Sequence, residues 1–302
     1  MFAPLRRLGC AAFSKRIGST LSFSLVPLML AMVSPASQAG LINDVPSCYA
    51  ANKIQSTEPR YDKLVYVLID QTVLLDEKLQ KSVLDSVLSL LQPGTKFVVA
   101  EFSAFSQDRY LQVLHTGIIE NPLSASQEGD VVMSRLSDFK TCMKAQGPFA
   151  ERMALSSAHD AMVGSSSNLA QSDVLLAFKT VSDAVRKDSA PRKVVFVVTD
   201  GLENSTISSF YAKNAVRDIN PDVELKKAQA NQVIGDFGGA RVYILGGGLM
   251  APSTQGTAAQ RNGYRDPKTL LALKQFWSAY VSQSNGHLAE FGAPALVEPV
   301  GY

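Results

Sequence analysis

Leu64-Val-Tyr-Val-Leu-Ile-Asp70 and Lys193-Val-Val-Phe-Val-Val-Thr-Asp200-Gly201 are the two stretches on which the fold of this chain turns. Each is a short run of β-branched and aromatic residues with no polar face, the pattern of a strand covered on both sides. Each ends in an aspartate. Around them the apolar pattern changes period repeatedly. Leu75, Leu79, Val83, Val87 and Leu90 recur at helical spacing until Pro93-Gly94, and Lys96-Phe-Val-Val-Ala-Glu-Phe102 reads as a second strand. Arg109 to Ile119 alternates polar and apolar residues after a short connection, which predicts an edge strand antiparallel to its neighbour. Helices are expected over about 131–162, interrupted at Gly147-Pro148, over about 168–187, over 221–234 with proline at the start, and over 267–284. Strands at 240–245 and 287–291 complete the series. Strands alternating with helices call for an α/β, doubly wound domain with a mostly parallel sheet and helices on both faces.

The 302 residues carry 29 Lys+Arg against 27 Asp+Glu, with 46% hydrophobic and 19% charged residues, which excludes a disordered polyelectrolyte or low-complexity chain. The excess of positive charge is localised. Residues 1–39 hold Arg6, Arg7, Lys15 and Arg16 and no acid, then the apolar run Leu21–Val33, then Ser34-Pro-Ala-Ser-Gln-Ala39-Gly40. A basic start, an apolar centre and a small-residue end predict a signal peptide cleaved after Ala39 and a periplasmic or secreted product. The 13-residue apolar run falls short of the roughly 20 that span a bilayer, so no transmembrane anchor is expected after cleavage. What remains has 25 basic and 27 acidic residues, with no basic footprint for nucleic acid. It also keeps two cysteines, Cys48 and Cys142, and an oxidising destination predicts that they pair, with two buried thiols as the alternative.

Doubly wound sheets bind ligands beyond the carboxyl ends of their strands, where the strand order reverses. If the two aspartate-ended strands are neighbours, Asp70 and Asp200 stand side by side there. Two close carboxylates require a shifted pKa, hydrogen bonds or a cation. Thr72 and the run Ser165-Ser-Ser167 offer hydroxyls, and the set suits Mg²⁺ or another hard divalent cation. The plainer alternative is that Asp70 or Thr72 caps the next helix and Asp200-Gly201 makes a turn.

The element order from about Tyr61 to Gly292, with Asp70-Gln-Thr72, Gly164-Ser-Ser-Ser167-Asn-Leu and Thr199-Asp200-Gly201, resembles the von Willebrand factor A (VWA) family. The resemblance implies a Rossmann-like three-layer sandwich with a six-stranded sheet in the order 3-2-1-4-5-6, strand 3 antiparallel. It also implies a metal-ion-dependent adhesion site in which Asp70, Thr72, Ser167 and Asp200 take the ligand positions and a protein or peptide partner approaches. Leu74 stands where the family has a second serine, and leucine has no lone pair, so the site is degenerate and its ion affinity lowered. The layout expected is a signal peptide over 1–39, an extension over 40–60, a VWA-like domain over 61–292 and a tail over 293–302.

Other constellations are weaker. His115, His159 and His287 have no zinc-site spacing, and no Gly-x-Ser-x-Gly elbow occurs. Gly246-Gly-Gly248 could admit a phosphate to the backbone, though a rim loop running to Gly263 is the simpler expectation. Gln71, Glu203, Asn204 and Met250 fall on the same rim. Phe276, Trp277 and Tyr280 read as core. The function expected is an exported, non-catalytic interaction module; the alternative is a metal-dependent hydrolase using the same two aspartates, with His159 or Glu203 as base.

Overall fold

In chain order the described elements are α1 (Cys48–Ala51), β1 (Lys63–Asp70), α2 (Glu77–Leu90), β2 (Thr95–Phe102), β3 (Leu111–Ile119), α3 (Ala125–Gly129), α4 (Met133–Val163), α5 (Val174–Lys187), β4 (Arg192–Val198), β5 (Tyr211–Ala212), β6 (Ala215–Val216), α6 (Pro221–Ala230), β7 (Arg241–Leu245), α7 (Pro267–Gln283) and β8 (His287–Phe291). The structure, a computed structural model, describes residues 43–103, 111–166, 172–212, 215–249 and 266–302. Residues 1–39, where a signal peptide is expected, lie outside them.

The sheet order is β3-β2-β1-β4-β7-β8, parallel throughout except at β2–β3. This is the doubly wound topology expected, with the small β5–β6 ribbon added in the connection after β4. The pleat sends alternate residues of β1 to opposite faces. Val65, Val67 and Ile69 meet α2 and α4 in one apolar layer, while Leu64, Tyr66 and Leu68 meet α5, α6 and α7 in the other. Trp277, Phe276 and Tyr280 are buried in this second layer, as core.

Helix α4 departs from expectation. It runs unbroken from Met133 to Val163 with Pro148 inside it. Proline removes one helical N–H and disturbs the preceding turn, at a cost of about 3 kcal/mol. Packing on both sides of Pro148 offsets that cost. Leu136 and Phe139 join a small cluster with Tyr49 and Ile54 before it; after it Ala150, Ala154, Ala158 and Ala161 are buried against the sheet. Gln146, just ahead of Gly147, is buried, its Nε2 donating to the Pro46 carbonyl and the Glu120 carboxylate. Helix α5 also differs: it starts at Val174 rather than near 168, because Ser172 is drawn into a bridge with Asn204.

Cys48 and Cys142 form a disulfide, Cα atoms 5.7 Å apart, fastening α1 to the first half of α4. Beside it the buried Glu120 accepts hydrogen bonds from the Ser47 hydroxyl and the Cys48 N–H at 2.6 and 2.7 Å, tying the start of α1 to the end of β3, while Gln146 of α4 donates to the same carboxylate. Among the described residues no helix is long and apolar enough to cross a membrane.

The bridge spans 94 residues of chain. Its removal in Cys142→Ser is expected to lower unfolding stability by about 4 kcal/mol in a urea titration, since a cross-link over so long a loop restricts the unfolded chain strongly. The same loss is expected when the wild type is reduced.

Candidate functional site

β1 and β4 pair with Ile69 opposite Val198, so Asp70 and Asp200 emerge together at the carboxyl end, where strand order reverses. They differ in surroundings. Asp70 is only 1% exposed. Its Oδ1 accepts the Thr72 N–H at 2.9 Å and the Thr72 hydroxyl at 2.6 Å; its Oδ2 accepts the hydroxyls of Thr199 at 2.8 Å and Ser172 at 3.0 Å. Burial pushes its pKa up and these donors pull it back. Asp200 is half-buried, and its Oδ1 accepts the Leu202 N–H at 2.8 Å. Both aspartates therefore close short backbone turns. Neither Asp70 nor Thr72 caps the following helix, a task that falls to Asp76, whose Oδ1 accepts the Leu79 N–H.

Of the four expected metal ligands, the structure brings Asp70, Thr72 and Asp200 to one rim. Ser167 lies outside the described residues, as does Met250. The neighbouring Ser165 turns its hydroxyl back to the Ala161 carbonyl at 3.1 Å. Leu74 is 44% exposed on the rim. Among the described residues no three His, Cys, Asp or Glu side chains are grouped to hold a metal. Thr72 Oγ1, after donating to Asp70, keeps lone pairs, so Thr72 and Asp200 match a hydrated Mg²⁺ better than a stripped one.

Ser172 was not singled out from the sequence, because its distance from Asp70 along the chain is 102 residues. A polar Thr199 at the end of an otherwise apolar strand was the visible signal for its partner. Glu203, a candidate base, is fully buried. Its Oε2 accepts the Leu175 N–H at the start of α5, at 2.9 Å, while Oε1 meets no donor among the described residues. Burial raises its pKa to about 8, with the Asp173 charge adding to the effect. The histidines stay apart from the rim aspartates: His115 pairs with Asp44 and His159 with its neighbour Asp160.

The glycine run is no phosphate cradle. Gly246 N–H donates to the Pro294 carbonyl, Gly247 N–H to the Gly292 carbonyl and Gly248 N–H to the Asp200 carbonyl, at 2.7, 2.8 and 2.8 Å. All three amides are committed within the protein.

No family model matches the chain, and no curated protein matches it. Solved structures that are similar in part include the following. An aerotolerance-related membrane protein from Bacteroides fragilis is 12% identical, with 78% of this chain and 92% of that one covered and a TM-score of 0.35. The pilus adhesin SpaC from Lactobacillus rhamnosus GG is 12% identical over 74% of this chain and 30% of its own, TM-score 0.32. The N-terminal domain of TFIIH p34 is 11% identical over 72% and 98%, TM-score 0.27. Scores this low support no inference about what the chain does.

Two outcomes follow from the carboxylates. Glu203 holds its proton in the folded state up to about pH 8 but loses it near 4.5 when unfolded, so this residue makes stability fall as pH rises across that interval and level off above it. Glu203→Gln removes the ionisation, and its unfolding free energy should exceed wild type by about 2 kcal/mol at pH 7.5, the gain shrinking toward pH 4.5. Asp70→Ala should lose about 3 kcal/mol at pH 7 by stranding the Ser172 and Thr199 hydroxyls, whether or not Mg²⁺ is present in the chemical denaturation.

Proposed function

We propose that the chain is an exported, non-catalytic protein-interaction module whose partner-binding surface is the carboxyl-end rim around Thr72, Leu74 and Asp200. The observation that carries this is the apolar exposure of the rim. Leu74 is 44% exposed and Val163, at the end of α4, is 62% exposed. The end of α4 is tied to the turn after β1 through Gln71, whose side chain donates to the Ala161 carbonyl and whose carbonyl accepts the Ser166 N–H. Large aliphatic side chains turned to water beside short polar ones suit a protein surface better than a small polar substrate. The disulfide is consistent with an oxidising compartment.

A divalent cation takes an accessory part in this proposal. Asp70 already has both oxygens engaged, and Leu74 offers no lone pair, so Mg²⁺ is held through water by Thr72 and Asp200 and weakly. The proposal gives Glu203 no part as a general base, since its side chain is buried.

The test is capture of partners from extract of the source cells on immobilised residues 40–302. Leu74→Asp is expected to abolish capture of the specific partner, while chelation with EDTA reduces it less than threefold. Calorimetry with Mg²⁺ is expected to give a Kd weaker than about 0.1 mM, in the range of loosely held extracellular ions. Capture that survives Leu74→Asp but vanishes with EDTA would reverse the weight given to the apolar rim and to the ion.

A further inference from the structure

We infer that the segment Gly292–Tyr302 is a strap that positions the rim from the far end of the sheet, acting through the Gly246–Gly248 turn. The segment contains no helix or strand, yet it is pinned along its length. At its upper end it accepts the amides of Gly246 and Gly247, while the next amide in the same turn, that of Gly248, holds the Asp200 carbonyl. In its middle the Glu290 carboxylate accepts the N–H groups of Val297 and Glu298 at 2.6 and 3.1 Å. At its lower end Val300 is buried, and the Gly301 carbonyl and N–H both bond to the Tyr243 hydroxyl. Tyr302 donates its hydroxyl to the Leu90 carbonyl at 3.1 Å and lies under the cations of Lys63 and Arg192. Lys63, Thr95 and Arg192 begin their strands, so this anchor is at the amino end of the sheet, opposite the rim.

The glycine turn transmits because it has no slack. A Cβ on Gly247 would stand 2.4 Å from the Phe291 ring at the end of β8 and 2.9 Å from the Gly292 carbonyl oxygen of the strap, and one on Gly246 would stand 2.9 Å from the Thr199 carbonyl oxygen, with φ at +102°. The turn is therefore wedged between the strap on one side and the end of β4 on the other. Two of its three successive amides belong to the strap. If the strap lifts, Gly246 and Gly247 lose their acceptors, and the turn is left to the Gly248 bond to the Asp200 carbonyl and the Thr199 bond to the Leu245 carbonyl. Segments held by scattered bonds without regular structure are where local opening starts. The rim thus shares its order with a surface segment that touches neither Asp70 nor Thr72 through any of these bonds. This coupling is independent of what the rim binds.

The molecule carries its own reporter. Trp277, the one tryptophan of the sequence, donates its indole N–H to the Gly201 carbonyl at 3.0 Å, one residue from Asp200. The full chain is compared with Tyr302→Ala, which removes the lower anchor, and with Glu290→Gln, which weakens the charge-assisted bonds in the middle. Amide hydrogen exchange is read by mass spectrometry over peptides containing 200–202 and 246–249, together with Trp277 emission, under conditions where circular dichroism is unchanged. Exchange in both rim peptides is expected to accelerate roughly tenfold, with a red shift of Trp277. Faster exchange confined to 295–302, with both rim peptides and Trp277 as in wild type, would overturn the inference. Should Tyr302→Ala fail to fold, Glu290→Gln decides by the same readouts.

Discussion

The carboxylate of Asp70 is the point on which the rest of the rim depends. It sits at the end of the central strand, buried, and its charge is answered by one backbone N–H and three hydroxyls from Thr72, Ser172 and Thr199. Those donors come from three places in the chain. A buried carboxylate is tolerated only when its lone pairs are filled, so the turn after β1, the end of β4 and the stretch before α5 are all obliged to converge on it. The late start of α5 is one consequence. Ser172 is held out of the helix by its bridge to Asn204, and its hydroxyl faces Asp70.

The same convergence changes the electrostatic problem posed by two neighbouring aspartates. Repulsion between them would ask for a cation if both charges were otherwise unanswered. Asp70 instead spends its charge on hydroxyl donors and Asp200 closes a turn on Leu202. A hydrated ion remains compatible with Thr72 and Asp200, but the fold of the rim does not need one to satisfy its acceptors. A second buried carboxyl under strain is Glu203, where one oxygen has no donor among the described residues and burial displaces the pKa to about 8. Such a group marks a place where the molecule tolerates instability beside its candidate site.

The opposite edge of the sheet is finished differently from the centre. Where α2 and α4 cover β1 and β2, the β7 side of that face is closed by the irregular segment after β8, through Leu296, Val300 and Tyr302. Extended chain can do this because its polar groups find specific acceptors and donors: the glycine amides, the Tyr243 hydroxyl and the Glu290 carboxylate. Apolar cover and rim geometry are thereby linked in one short segment.

Local pattern was sufficient for the strands, the parallel core and the carboxyl-end position of Asp70 and Asp200, because continuous β-branched runs and helical spacing express burial that any neighbour would impose. It was also enough to pick out Cys48 and Cys142 as a pair, there being no other cysteine beyond the amino-terminal basic segment. It misjudged Pro148, since the energy that keeps α4 continuous comes from residues on the sheet and on α1 rather than from the helix's own sequence. It could not place Ser172 on Asp70, the glycine amides on residues 292 and 294, or Glu203 in the core. Those contacts join residues dozens to more than a hundred positions apart, and short polar side chains carry no periodic signature of the partner they will find. Only the folded arrangement, by removing water, forces each buried donor and acceptor to a particular mate.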